Sequence, residues 1–364
     1  MTALLLCLAL LALAAPCRAV NIAGETGADA LPGALPEGAR EALDGMEVTD
    51  AELEVGLERI GSYLANRFQD VLSEILRPFG AVLAVAVLCA LGETLSHTLL
   101  TGGQGGFDFA GFGGSLAVSA VTLSDVRSVV SMGAETLDQL WEFTRVLLPV
   151  LTAASVSAGA VTSAAAKAAA ATLFADILLT AARTLILPLV CAYAATEAAG
   201  AALGTKQLVG VSRLLQWGAK TLMKGLALAF TAYLTLTGVS AESADAALVR
   251  TAKAALSAAL PVVGKTLSDA SESLVAGAAL VRNAAGIFGL LALLAVVAMP
   301  VLRLLLRWLL FQAAAAVASA IAGERLGGLI AGIGNAYAMV LGLVGVGAAI
   351  FFLAVVSFLR TVSG

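Results

Sequence analysis

The stretch LPVVGKTLSDASESLVAGAALVRNAAGIFG, Leu260 to Gly289, decides how the chain is read. Pro261 breaks a preceding helix and Gly264 permits a turn. From Lys265 onward, Leu267, Leu274, Val281 and Phe288 recur every seven residues, with Ala270, Ala278 and Ala285 beside them. That is one apolar stripe of a helix. Lys265 and Asp269 stand four apart, Asp269 and Glu272 three apart, so the three share another face and can partly pair. Arg282 and Asn283 follow. Ionisable groups are costly at membrane depth, so this face meets water, another subunit or an internal polar cavity. A solvated face of an extracytoplasmic helix is the plainer alternative.

The rest of the chain explains why such a face stands out. Of 364 residues, 60% are hydrophobic and only 13% charged, with mean hydropathy +0.97. Soluble domains carry about 25% charged residues. The composition therefore predicts an all-α, polytopic helical membrane protein built from spans of about 20 residues. Abundant Ala and Gly predict close helix contacts. A net charge of −4, with no Lys/Arg cluster that resembles a nucleic-acid patch, argues against nucleic acid as a partner. Cys89 and Cys191 lie in apolar runs, in neither a CxxC nor a Cys/His spacing, and read as small core residues.

Residues 1–19 read as a signal peptide, with a retained signal anchor as the alternative: the apolar core ALLLCLALLALAAPCRA ends in small residues, although no Lys or Arg precedes it. Residues 20–77 form an extracytoplasmic region. Its first half, NIAGETGADALPGALPEGAREALDG, has the composition of a flexible linker. Its second half repeats Leu53, Leu57, Ile60, Leu64, Phe68, Leu72 and Ile75 at helical spacing, an amphipathic helix with possible breaks at Gly56 or Gly61. Such a helix lies on a membrane surface or docks a partner.

A multispanning domain occupies 78–364. Pro78 suits the start of a first span to Leu100. Gly102 to Gly114 reads as a connector lacking the Gly-Lys-Ser/Thr ending of a phosphate loop. Further spans are expected at Val146–Ala165, Ala171–Ala199 (bent at Pro188), Gly225–Ser240, Gly286–Leu302, Trp308–Ala322 and Ala336–Leu359, about seven in all. Lys206, Arg213, Lys220 and Lys224 crowd one connection and mark it as cytoplasmic. Counting outward places Arg303, Arg307 and Arg360 inside, the mature N-terminus outside, and the polar segment 241–285 outside or re-entrant. Arg67 and Arg77 count against this orientation.

No catalytic motif emerges. His97, the single histidine, stands four residues after Glu93 in the first span. One His and one carboxylate fall short of a metal-ligand set and read better as a pore-facing or structural pair. There is no HExxH, GxSxG or Walker loop, so neither an enzyme nor a cofactor is expected. Gly328 with Gly332, and Ser155 with Gly159, are small-xxx-small pairs that permit close contacts in an oligomer or within one chain.

The residues Pro261-Val262-Val263-Gly264, Ser268-Asp269-Ala270, Glu272, Gly277-Ala278, Arg282-Asn283-Ala284, Gly286-Ile287 and Gly289 resemble the C-terminal half of the stage III sporulation protein AE family. The preceding TGVSAESADAALVRTAKAAL, the following apolar run with Pro300, and LPVLTAASVSAGAVTSAA fall in a similar order. The resemblance implies a multispanning subunit of a secretion-like channel complex. It would sit in the mother-cell membrane around the forespore, with the other stage III sporulation A subunits and a forespore membrane protein as partners. It carries no catalytic residues. A stand-alone transporter or a membrane scaffold are the alternatives. Candidate assembly or pore-facing residues are Lys265, Asp269, Glu272, Arg282, Asn283, Glu93 and His97. Replacing Asp269 and Glu272 together by Ala is expected to lower heat-resistant spore counts at normal protein abundance. Wild-type counts would reject a role for that face.

Overall fold

The computed structural model describes residues 27–49, 51–99, 109–158, 160–204, 207–259 and 264–359. Side chains are described over 27–49, 51–92, 111–158, 160–204, 208–235 and 280–359. The signal peptide predicted at 1–19 lies outside these residues. Among the described residues every regular element is helical: α1 (Glu37–Ala42), α2 (Leu53–Leu99), α3 (Phe109–Ser157), α4 (Val161–Ala181), α5 (Leu187–Leu203), α6 (Gln207–Ala259) and α7 (Gly264–Leu359). Two 3₁₀ turns precede α1, and a π-helical turn, Ala182–Ile186, joins α4 to α5.

The architecture turns on Gly323. Its backbone, at φ 80° and ψ 167°, interrupts α7 and folds it into a hairpin of two arms, 264–322 and 324–359. This conformation is essentially confined to glycine. The arms pack antiparallel: the Gln312 amide donates to Asn335 at 3.4 Å, and Phe311 meets Tyr337 edge-on at 4.9 Å. Near the far end, Leu359 fills the space a Cβ on Gly286 would take. The hairpin is the core. Of its most apolar window 56% is buried, against 17% for α2, and its most extensive contacts are with α3 and α2.

Among the described residues, four stretches are long and apolar enough to cross a membrane: Leu53–Gly92, Gly111–Ser157, Val161–Leu203 and Leu280–Leu359. The expectation of about seven spans is therefore revised. Gly286–Leu302 and Trp308–Ala322 are one continuous helix, because LRLLLRW from Leu302 to Trp308 offers no turn residue and Pro300 sits inside the helix. Val146–Ala165 straddles the end of α3 at Ser157 and the start of α4 at Val161. Gly225–Ser240 lies in α6, whose described side chains stop at 235.

Proline does not cut these helices. Pro78, Pro149 and Pro300 all lie in helix interiors, each leaving the carbonyl four residues earlier without its helical donor. So α2 runs unbroken from Leu53 through Gly56, Gly61 and Pro78, and the predicted helix start at Pro78 is not found. The boundary drawn at 77/78 falls inside this helix. Its buried stripe is Gly56, Ile60, Val71, Ile75, Val82 and Ala86, while Leu53, Leu57 and Phe68 face outward. Pro188 lies in the first turn after the π-helical segment, the local widening that accommodates a missing N–H.

The expected linker is also packed where it is described. Ala28, Leu31, Leu35, Ala39, Leu43 and Val48 are buried, and α1 touches α7. Arg40 donates to the carbonyls of Gly33 and Leu35, Arg59 donates to the carbonyl of Asp44, and Arg67 pairs with Glu41 at 2.9 Å. The glycine-rich connector likewise becomes helix from Phe109. There Gly114 presses on α2, and a Cβ would stand 2.3 Å from Cys89 Sγ.

Gly323→Ala should lower unfolding stability in mild detergent by about 1–3 kcal/mol. Gly328→Ala, where a Cβ meets nothing within 4 Å, should leave it unchanged. Equal melting of the two variants would show that the turn does not require glycine.

Candidate functional site

Midway along the bundle, four helical segments bring charges together. Arg303 and Arg307 stand one turn apart on the first arm of α7, flanked by the buried Leu304 and Phe311. Glu74 of α2 divides its carboxylate between them: Oε1 accepts from Arg307 Nη2 at 3.3 Å, and Oε2 lies 3.6 Å from Arg303 Nη2. On the other side, Asp125 Oδ1 of α3 lies 3.8 Å from the same Arg307 Nη2. Asp125 Oδ2 accepts from the Tyr337 hydroxyl of the second arm at 2.6 Å. Two guanidinium groups face two carboxylates, so the cluster is neutral.

Burial grades its members. The Arg307 side chain is 5% exposed and Asp125 14%, whereas Glu74 is 47% exposed. Half-exposed pairs contribute little, about 0–1 kcal/mol. Arg307 is different, because removing one partner of a buried pair leaves an uncompensated charge at about 3–5 kcal/mol. Its donors are not fully used: Nε and Nη1 of Arg307 and Nε of Arg303 are buried without an acceptor. The network holds the hairpin to α2 and α3 while retaining hydrogen-bonding capacity for a further acceptor.

Other buried polar groups act at helix ends. Lys167 Nζ of α4 donates to the Ser357 carbonyl at 2.8 Å, close to the last turn of α7. Arg325, just beyond the Gly323 turn, donates to the carbonyls of Ala201 and Ala202 at the end of α5. Both put a cation where helix carbonyls lack donors. Arg183 of the π-helical turn pairs with Asp138 of α3. Glu197 and Asn335 lie near the Tyr193 side chain, and Gly332 leaves the room that Glu197 occupies. Of the Gly328/Gly332 pair, only Gly332 makes such a close approach; Gly328 faces open space. Among the described residues no three His, Cys, Asp or Glu side chains converge as a metal would require.

Of the residues singled out from sequence, the side chains of Arg282 and Asn283 alone are described, and neither joins this network. Lys265, Asp269 and Glu272 lie on the first arm of α7, and Glu93 and His97 in the last turns of α2, but their side chains are outside the described residues. Arg282 and Asn283 part company, Arg282 buried with Nε and Nη1 unpartnered and Asn283 exposed. Phe288 and Ala285 are buried, as the apolar stripe requires.

No local sequence pattern points to this network. Arg303 and Arg307 were expected in a cytoplasmic connection, yet they sit inside a continuous helix. Lys206 lies outside the described residues, and Arg213, Lys220 and Lys224 are likewise on a helix, α6, not in a connection. The available signal for Arg303 and Arg307 was two arginines four apart between apolar runs, without Gly, Pro or Asn to make a turn.

A helical bundle with membrane-length apolar helices and charges paired in its interior defines the class as a helical membrane-type protein. Comparison with known families supplies the rest. The profile described as Stage III sporulation protein AE matches residues 43–361, and the chain belongs to that family. It is similar to Stage III sporulation protein AE of Bacillus subtilis (strain 168), with 23% identity over 210 residues, 56% of this chain. The match spans 51% of that relative, so the chain covers about half the length of the curated relative it matches. No solved structure matches.

Arg307→Ala should destabilise the detergent-solubilised protein by about 3–5 kcal/mol, and Glu74→Gln by about 1 kcal/mol or less. Combining Arg307→Met with Asp125→Asn should recover part of the loss. Helical circular dichroism during thermal unfolding reads all three. Equal effects of Arg307→Ala and Glu74→Gln would show that burial does not set the energetics.

Proposed function

We propose that this protein is an integral membrane subunit of the secretion-like channel complex that joins mother cell and forespore during endospore development. The observation that carries the reading is family membership over residues 43–361, a range that takes in all the long helices. In this reading the chain sits in the mother-cell membrane around the forespore, with its mature N-terminus extracytoplasmic. Its partners are the other stage III sporulation A subunits and a protein of the forespore membrane.

The bundle suits a fixed structural element of such a machine. Several of its internal cations are paired: Arg307 with Glu74 and Asp125, Lys167 with the Ser357 carbonyl, Arg325 with the end of α5. Such pairing favours one arrangement of the helices. The exposed large apolar side chains of α2, including Leu76, Val87, Leu88 and Leu91, are available to lipid or to a neighbouring subunit.

A gentle-detergent pull-down of tagged protein from sporulating cells, read by mass spectrometry, tests the assignment. Co-recovery of the other complex subunits is expected. Recovery of intact, abundant protein without them would reject the assignment in favour of a stand-alone transporter.

A further inference from the structure

We infer that one face of α6, formed by Arg213, Trp217, Lys220 and Lys224, binds the phosphate headgroups of anionic phospholipid. The four residues follow at steps of four, three and four, which at 3.6 residues per turn gathers them within about 60° of arc. All four are exposed, Trp217 by 65%. The opposite identity of the helix is equally clear: Ser212, Ala219, Met223 and Phe230 are buried, where α6 packs on α4, α5 and α7. The basic face is therefore turned away from the bundle by the same periodicity that buries the other.

Among the described residues, its charge is uncompensated. Neither Arg213, Lys220 nor Lys224 takes part in an ion pair among the described residues. No Asp or Glu occurs in the chain between Glu197 and Glu242. Elsewhere in the fold, cations such as Arg67, Arg183, Arg303 and Arg307 have carboxylate partners. This face looks outward for its anions.

The surroundings select lipid. An acidic protein surface would match the charge, but it would leave Trp217, Leu214 and Leu228, all more than half exposed, without an apolar environment. Immediately after Lys224 the chain runs apolar through GLALAFTAYLTL. A tryptophan beside basic residues at the edge of an apolar run is the arrangement found at headgroup level. Long basic side chains keep their charge at the phosphates while their stems lie along the acyl region.

The test uses the full chain reconstituted in phosphatidylcholine vesicles containing a minority of phosphatidylglycerol. Trace spin-labelled phosphatidylglycerol and phosphatidylcholine report which lipid is immobilised at the protein boundary. Wild type and the charge-preserving variant R213K/K220R/K224R should prefer phosphatidylglycerol, and R213Q/K220Q/K224Q should lose most of that preference. A surface charge is worth up to about fivefold, so a drop of at least about threefold is expected, with added salt weakening the wild type likewise. Equal preference in wild type and the neutral variant, at equal helical content, overturns the inference. So does an unchanged lipid preference accompanied by charge-dependent retention of an acidic subunit from sporulating membranes. The inference rests on the helices being membrane-embedded, and resistance of the reconstituted protein to alkaline extraction reports that premise separately.

Discussion

A guanidinium placed inside an apolar helix bundle constrains everything packed around it. The fold surrounds Arg307, whose planar guanidinium can meet a carboxylate on more than one edge, with anions from two different helices. Glu74 arrives on α2 and Asp125 on α3, while Tyr337, from the returning arm of α7, orients Asp125 through its hydroxyl. Sliding α2 or α3 by one turn along the hairpin would move a carboxylate about 5 Å from its partner. The pairing thus fixes register among helices whose apolar surfaces, rich in Ala, Leu and Val, discriminate poorly between neighbouring registers.

The hairpin makes that pairing possible. Gly323 reverses the chain in a conformation closed to residues with a Cβ, and the two arms then present Arg307 and Tyr337 to the same side of α3. Close packing follows from small residues where segments meet. Gly289 lies against Leu147, Gly133 against Val340, and Gly347 against Leu137, each where a Cβ would fall within 2.5 Å of the neighbour. Arg325 then ties the turn to the end of α5, and Lys167 ties the last turn of α7 to α4. The central element is therefore held at both ends and in the middle by cations, each with a defined acceptor.

Comparing residue patterns with positions shows where local reading works. The seven-residue stripe ending at Phe288 predicted a helical face, and Phe288 and Ala285 are buried. The stripe on α2 held at Ile60 and Ile75 but not at Leu53, Leu57 or Phe68. In a membrane-type bundle apolar residues face outward as readily as inward, so hydrophobicity alone does not identify the packed side. Charges misled for a related reason. Arginines at 303 and 307 resemble the flank of a span when the helix is read in isolation, and their carboxylate partners are separated from them by well over a hundred residues of chain.

Composition by itself determined the class: so little charge in so long an apolar chain leaves helices as the means of satisfying the backbone. The pattern from Pro261 to Gly289, with its flanking runs, was enough to indicate the family, because those residues are specific in identity as well as in type. Tertiary structure alone decided how many long helices those apolar runs make, that Pro78 and Pro300 lie within helices, and that Gly323 is the point of reversal. It alone showed that Glu74, Asp125, Arg303, Arg307 and Tyr337 meet. The physical reason is distance along the chain. Periodicity reports neighbours within one or two turns, whereas the pairing of buried charges depends on which helices lie side by side, and that is fixed only when the whole bundle closes.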